Sequence, residues 1–386
     1  MDFTLNEQQT ELQRVARDFA QKEMVSVALE MEEKNIPLPK DWLKKYAEMG
    51  FLGINVGKKY GGLGLSNLEA LLVIEEFAKI SSAVAFPIFE SCVGPVKAIE
   101  HFANEDLKMR VIPEVCKGNI IIAVSMSEPN AGSALTDLTT KAEIQGDKIV
   151  INGTKRWCSG GGHSEGYVVY CKMSDAPGAK GIGAVYVEKD SKGLSFGQQE
   201  NLMGWNGVPS ADIFLDSVEV PKENMVVDAD GGFKKLMEAF DLERCGNATM
   251  CLGQASGALE QVLQYVQERE QFGKPIVEFQ AVQMKLAEMA MKVEAARLLI
   301  HRAAHNAEEG FPSIFESSVG KCFSNETSRE VVASAMQLMG GYGFNKEYTM
   351  ERRYRDVWGW GIAGGTIDIQ KINIASAMVG KRFNQR

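Results

Sequence analysis

Two carboxylates stand out as candidate acid–base groups. Glu90 lies in Phe86-Pro87-Ile88-Phe89-Glu90-Ser91-Cys92-Val93-Gly94, an otherwise apolar run. A charge there is hard to explain as packing, because burying an unpaired carboxylate is costly. Apolar surroundings would raise its pKa toward the working pH, as a general base requires. A helix-end glutamate turned to water is the competing reading. Glu243, in Asp241-Leu242-Glu243-Arg244, is the second carboxylate; taken alone, it also fits a helix-start glutamate stabilised by the dipole or by Arg244. His301 and His305 stand at i and i+4, but Arg302 replaces the glutamate of His-Glu-x-x-His and no third ligand is evident, so no metal site is expected. There is no Gly-x-Gly-x-x-Gly between a strand and a helix and no P-loop, so nicotinamide binding on a Rossmann unit and nucleotide hydrolysis both lack support.

Other chemistry-bearing strings are rich in glycine and aromatics. They are Ser127-Glu128-Pro129-Asn130-Ala131-Gly132-Ser133, Lys155-Arg156-Trp157-Cys158-Ser159-Gly160-Gly161, Arg269-Glu270-Gln271-Phe272-Gly273-Lys274-Pro275, and the stretch from Gly340 to Gln370. In isolation the first reads as a turn, the tryptophan of the second as packing, and the arginine of the third as a solvated helix end.

Periodicity describes the elements that must hold these strings. Leu5, Leu12, Val15, Ala16, Phe19 and Ala20 recur at helical spacing behind Thr4, a candidate N-cap, which predicts a helix from 5 to about 25. Helical pattern continues through residues 1–120. From 121 to 231, short β-branched runs such as IIIAVSM and GYVVYCK alternate with Gly, Asp, Asn and Ser turns, predicting a β domain built as a compact barrel or sandwich. From 232 to 386 long Ala-, Met- and Leu-rich helical patterns suit a bundle. The expected fold is therefore mainly α with a central β domain. The 386 residues are ordinary in composition, 45% apolar and 24% charged, which excludes disordered and collagen-like classes. A net charge of −9 and the absence of a Lys/Arg-rich run argue against nucleic acid. No run of about 18 apolar residues and no basic, apolar leader are evident, so neither export nor a membrane span is expected. The seven cysteines (Cys92, Cys116, Cys158, Cys171, Cys245, Cys251, Cys322) are scattered and never paired as Cys-x-x-Cys, as expected of reduced thiols in a cytoplasmic protein.

Together the glycine- and aromatic-rich strings resemble the signatures of acyl-CoA dehydrogenases, at the family's usual separations and in its helical/β/helical order along essentially the whole chain. The resemblance implies an N-terminal helical domain, a middle β-barrel and a C-terminal four-helix bundle binding FAD. It implies flavin contacts at Met126, Ser127, Trp157 and Ser159, with Ser133 touching CoA. Arg269, Gln271, Phe272, Gln280, Gln337, Gly340, Gly341, Thr366 and Asp368 are carried over as further flavin contacts; of these, Arg269 and Gln337 through Gly341 belong to motifs that complete a neighbouring subunit's flavin site. A homotetramer with one FAD per chain is the expected consequence. Asp241, Arg244 and Gly365 are implied to contact substrate.

One departure matters. Where the family reads Glu-Gly-Thr and uses that glutamate as the base, this chain reads Ala363-Gly364-Gly365-Thr366. The resemblance leaves Gly364 its backbone N–H for the thioester carbonyl and moves the proton acceptor elsewhere. A minority of the family draws its base from the residue preceding the arginine, here Glu243; Glu90 would line the acyl end of the pocket. The expected activity is dehydrogenation of a bulky, alicyclic or unsaturated CoA thioester, of the cyclohex-1-ene-1-carboxyl-CoA type, by proton abstraction and hydride transfer to flavin N5. Electrons would pass to an electron-transfer flavoprotein or similar acceptor. The alternatives are a crotonobetainyl-CoA reductase-like or desulfinase-like flavoenzyme, or a non-catalytic CoA-thioester-binding flavoprotein.

Overall fold

The computed structural model describes residues 4–308 and 310–383. Seven helices come first: α1 (Glu7–Phe19), α2 (Val25–Lys34), α3 (Lys40–Glu48), α4 (Asn67–Ile80), α5 (Ser82–Cys92), α6 (Pro95–Phe102) and α7 (Glu105–Cys116). The first helix starts later than its periodicity suggested. Asn6, not Thr4, is the N-cap, because its side chain accepts from the Gln9 amide while Gln9 answers the Asn6 amide, a reciprocal capping box. A π-helical turn at Ala20–Met24 joins α1 to α2 where one continuous helix was expected to run to about 25. The stretch Ser82–Phe102 is by length and mean hydropathy apolar enough to cross a membrane, yet it carries Glu90 and Lys97 and 94% of its most apolar window is buried inside the protein.

Eight strands follow: β1 (Ile122–Ser125), β2 (Lys141–Gln145), β3 (Lys148–Ser159), β4 (Gly166–Lys172), β5 (Ile182–Glu188), β6 (Leu194–Phe196), β7 (Ser210–Pro221) and β8 (Met225–Val227). They form one sheet in the order β6-β7-β3-β2-β4-β5-β8, with β1 parallel to β4. Strand β4 is buried on both faces. Val168 and Tyr170 join a core with α6 and α7, whereas Tyr167, Val169 and Cys171 join the sheet's own interior with Ile149, Ile151 and Ile213. That two-sided burial is why GYVVYCK reads as a continuous apolar run rather than an alternating one.

The remaining helices are α8 (Gly232–Glu268), α9 (Gln280–Asn306), α10 (Ile314–Met339), α11 (Gly341–Phe344), α12 (Met350–Trp360) and α13 (Ile367–Val379). At 37 residues α8 is about 55 Å long and runs the length of the bundle. One core joins α1, α4 and α5 to α8, α10 and α12, so the two helical units are packed as one body. Small residues permit the close approach. A Cβ at Gly246 on α8 would lie 2.4 Å from Val93 Cγ2, and one at Gly253 would lie 2.8 Å from the Glu75 carbonyl oxygen. The contact at Gly246 sets α5 and its Glu90 against the N-terminal part of α8.

Candidate active site

Four elements supply the proposed reaction centre. Glu90 comes from α5, Glu243 and Arg244 from α8, Lys321 from α10, and Gly364 from the turn between α12 and α13. Glu90 is buried, and its Oε2 has no hydrogen-bond partner. Burial, reinforced by the Glu243 charge, pushes its carboxyl well above the usual carboxylate range. The sequence alternative, a glutamate turned to water, is thereby excluded. Glu243 is half-buried; burial raises its pKa to about 8 against the opposing pull of Arg244 and Lys321. The Glu243 charge works against ionisation of Glu90, so the two carboxyls disfavour ionising together.

Asp241 and Arg244 are held differently from what a freely offered substrate contact would need. They form a buried ion pair, and Asp241 also accepts from Ser317 Oγ at 2.8 Å. Arg244 keeps an unpartnered buried Nε.

Gly364 has φ +65° and Gly365 φ +82°, a left-handed pair available to glycine at little cost. The turn they make brings the carbonyls of Ala363 and Gly365 onto Lys321 Nζ, at 2.6 Å each. Burial and the Arg244 charge press the Lys321 pKa down to about 7. Sequence reasoning missed this lysine. Its signal was a charge within the small-residue face of Ser317, Ser318, Gly320 and Ser324, all of them buried or nearly so. Thr366 caps α13, accepting from the Ile369 amide, and Asp368 is exposed in its first turn.

A second cluster joins the Met126–Ser133 and Lys155–Ser159 strings. The Arg156 amide donates to the Ser127 carbonyl at 3.0 Å. Lys155, fully buried, donates to the Met126 carbonyl at 3.0 Å and to Glu128 Oε1 at 2.9 Å. This brace, unrecognised in the sequence, places Met126, Ser127, Trp157 and Ser159 side by side. Trp157 has φ +62° and a 54% exposed side chain under the Arg156 guanidinium. A tryptophan held in that conformation with its ring outward suits a planar apolar ring system. Ser133 is exposed on the adjoining loop.

A third cluster lines a groove of about 410 Å³ between the C-terminal end of α8 and the α10–α11 junction, bounded by Arg269, Gln271, Tyr265, Gly340, Gly341 and Tyr342. The Arg269 guanidinium lies over Tyr342, and space for a Cβ is open at Gly340 and Gly341. A guanidinium beside exposed glycine backbone fits a pyrophosphate. Beyond it, Phe272 at φ +53° and Gly273 at φ +80° turn a two-residue hairpin, leaving Phe272 93% exposed. Gln280 and Gln337 are exposed, at the start of α9 and in the last turn of α10. The residues present thus fit FAD: an aromatic platform on the sheet and a cationic, glycine-lined groove on the bundle. His301 and His305 lie on α9, and no cluster of three His, Cys, Asp or Glu able to hold a metal occurs among the described residues.

Residues 6–119, 123–218 and 230–379 match, in turn, the N-terminal, middle and C-terminal domains of acyl-CoA dehydrogenases. The chain is 37% identical to an acryloyl-CoA reductase (NADH) of Anaerotignum propionicum, over 97% of this chain and 95% of that one. It is 34% identical to the caffeyl-CoA reductase-Etf complex subunit CarC of Acetobacterium woodii, over 97% and 99%. It is 35% identical to a 3-sulfinopropanoyl-CoA desulfinase of Variovorax paradoxus, over 99% and 97%. Butyryl-CoA dehydrogenase of Megasphaera elsdenii superposes with a TM-score of 0.94 at 31% identity, covering 98% of this chain and 100% of that one. With all three domains in order and homologues matched over nearly their full length, this chain belongs to the acyl-CoA dehydrogenase family, FAD-dependent oxidoreductases that act on CH–CH bonds.

Proposed function

We propose that this protein interconverts a bulky, ring-bearing or unsaturated acyl-CoA thioester and its partner two electrons apart, with the proton handled by Glu243 or Glu90 instead of a glutamate at position 364. The observation that carries this reading is Glu90, buried in an apolar helix with an unpartnered Oε2 and pushed up by burial and by the charge of Glu243, itself half-buried on α8. FAD, when bound, supplies hydride acceptance and donation. The Gly364 N–H holds the thioester carbonyl oxygen, which acidifies the adjacent C–H. Glu243 takes that proton in ordinary α,β-dehydrogenation, or returns it in the reductive direction. Glu90 serves where the acidic C–H of a ring or conjugated thioester lies beyond the α-carbon. Glycine at 364 and alanine at 363 leave room beside the reacting carbons for a ring, with a cyclohex-1-ene-1-carboxyl-CoA type the leading candidate. An anaerobic panel of thioesters is expected to show faster flavin bleaching with a ring substrate than with butyryl- or octanoyl-CoA; the reverse order overturns the substrate class.

The same two carboxyls set a pH signature. Glu243 is raised to about 8, so at pH 7 it is mostly protonated. As a base it must first ionise, and kcat/KM is expected to rise with pH and level off above about 8; as an acid it must keep its proton, and kcat/KM is expected to fall there. A limb that rises in the oxidative direction and falls in the reductive one is the signature of Glu243 in both roles, and a flat profile from pH 6 to 9 argues against it.

A second reading is favoured by the likeness to the desulfinase: a substrate that expels its own leaving group needs no base at position 364. A non-catalytic thioester-binding flavoprotein is the remaining alternative, and the bleaching panel separates it from both enzymes. The likeness to an Etf-complex subunit supports an electron-transfer flavoprotein as acceptor or donor. A homotetramer, a dimer of dimers, accounts for the outward Phe272 and for exposed Met284, Met291, Met378 and Val379 on α9 and α13. Light scattering is expected to give four chains with four FAD, and a fully flavinated monomer contradicts it.

A further inference from the structure

Lys321 is the one buried ammonium in the proposed reaction centre, and it is committed to backbone rather than to a carboxylate. Its Nζ donates to the carbonyls of Ala363 and Gly365, and no ion pair of this lysine occurs among the described residues. Two amides reinforce the arrangement: Asn247 Nδ2 reaches the Ala363 carbonyl at 3.4 Å, and Gln370 Nε2 the Gly365 carbonyl at 2.9 Å. Within a planar trans peptide, the C=O of one residue and the N–H of the next point in opposite directions. Drawing the Ala363 oxygen down onto α10 therefore aims the Gly364 N–H away from α10. That N–H, on a half-buried turn, finds no hydrogen-bond acceptor among the described residues. The left-handed conformations of Gly364 and Gly365 let two carbonyls converge on a single nitrogen. A Cβ at Gly364 would already lie 3.5 Å from Lys321 Nζ and 3.1 Å from Asn247 Nδ2.

We propose that Lys321 is a positioning residue: by clamping the carbonyls on both sides of Gly364 it presents the Gly364 N–H to the thioester oxygen. The proposal rests on the thioester chemistry argued above. The carbonyl oxygen gains negative charge as the adjacent C–H is ionised, so a preoriented donor favours the transition state more than the ground state. Losing the clamp is therefore expected to lower kcat far more than it raises KM.

The test is Lys321→Met in the full-length, FAD-loaded protein. Two readouts are followed: amide hydrogen exchange of the 361–367 segment, which needs no reaction, and kcat and KM with the best thioester of the wild-type panel. The expected result is at least tenfold faster exchange confined to that segment and a kcat lowered by ~30-fold or more, with KM changed less than threefold and flavin content retained. Unchanged loop exchange, or an effect on KM alone, overturns the clamp. Should K321M not fold, Lys321→Arg decides. It keeps a cation able to reach the carbonyls, so loop exchange within threefold of wild type supports the clamp and exchange as fast as in a fully unstructured peptide overturns it. A wild-type protein that bleaches with no thioester would sink the functional reading while leaving the exchange result to stand or fall alone.

Discussion

Glu243→Gln is expected to slow flavin reduction in single turnovers by ~10²-fold or more, while FAD stays bound. The loss should be this large because the amide keeps the shape and removes only the titrating oxygen. Glu243 reaches its pKa of about 8 through burial that outweighs Arg244 and Lys321, a balance a proton-transfer group needs and a surface glutamate lacks. Glu90→Gln, made separately, assigns the position of the reacting C–H: a comparable loss there, with Glu243→Gln mild, moves the chemistry beyond the α-carbon. The two variants also carry a stability signature. A carboxyl whose folded pKa is raised costs nothing below its unfolded pKa and progressively more as pH rises toward the folded one. Each glutamine variant should therefore be as stable as wild type near pH 4 and more stable at pH 7, by about 3.5 kcal/mol for Glu243, the 2.5 units between its ordinary pKa of 4.5 and pH 7 counting about 1.4 kcal/mol each. If neither substitution slows reduction, no relocated base exists, and the desulfinase-like or non-catalytic reading takes its place.

Lys155→Met is the second substitution with a large expected effect. Lys155 and Glu128 are both buried, and Glu128 also accepts from the Thr139 amide at 2.6 Å and the Thr140 amide at 2.9 Å. Against the burial that would raise it, Lys155 and the threonine donors hold the Glu128 carboxyl down to about 2. A depressed carboxyl stabilises above its unfolded pKa and loses that contribution as pH falls toward about 2. Removing the cation strands a buried carboxylate, which costs about 3–5 kcal/mol, and frees the Met126 carbonyl from β3. Unfolding by denaturant at pH 7 should show that loss, the flavin-to-protein ratio should drop, and adding Glu128→Gln should restore much of the stability. A loss below about 1 kcal/mol with full flavin content would show that the brace does not hold the Met126–Ser133 and Lys155–Ser159 strings in place for FAD.

The fold was largely legible because its signals are local. The change from helical spacing to β-branched runs near residue 121 and back near 232 follows side-chain burial, which each segment expresses on its own. What failed locally was competition between neighbouring caps: Asn6 outbids Thr4 because Gln9 completes a reciprocal box, a relation of two residues rather than one. Glu90 was legible as an anomaly, since the helix around it is apolar on every side and buried throughout. Lys321 and the Lys155–Glu128 brace were not legible. Glu128 and Lys155 are 27 residues apart, and Lys321 and Ala363 are 42 apart. Each looks ordinary until the tertiary fold shows what it faces. The groove around Arg269 and Gly340 joins the C-terminal ends of α8 and α10, which sequence could connect only through the family resemblance.

The most direct measurement is made on the purified protein under anaerobic conditions, by following its visible absorbance after adding a saturated ring thioester to the oxidised form or the corresponding unsaturated thioester to the chemically reduced form. An FAD-dependent thioester oxidoreductase with a relocated base bleaches with the first or regains its yellow colour with the second, within seconds and in proportion to thioester added. A protein that holds FAD yet responds to no thioester in either direction, or that binds no FAD, contradicts it.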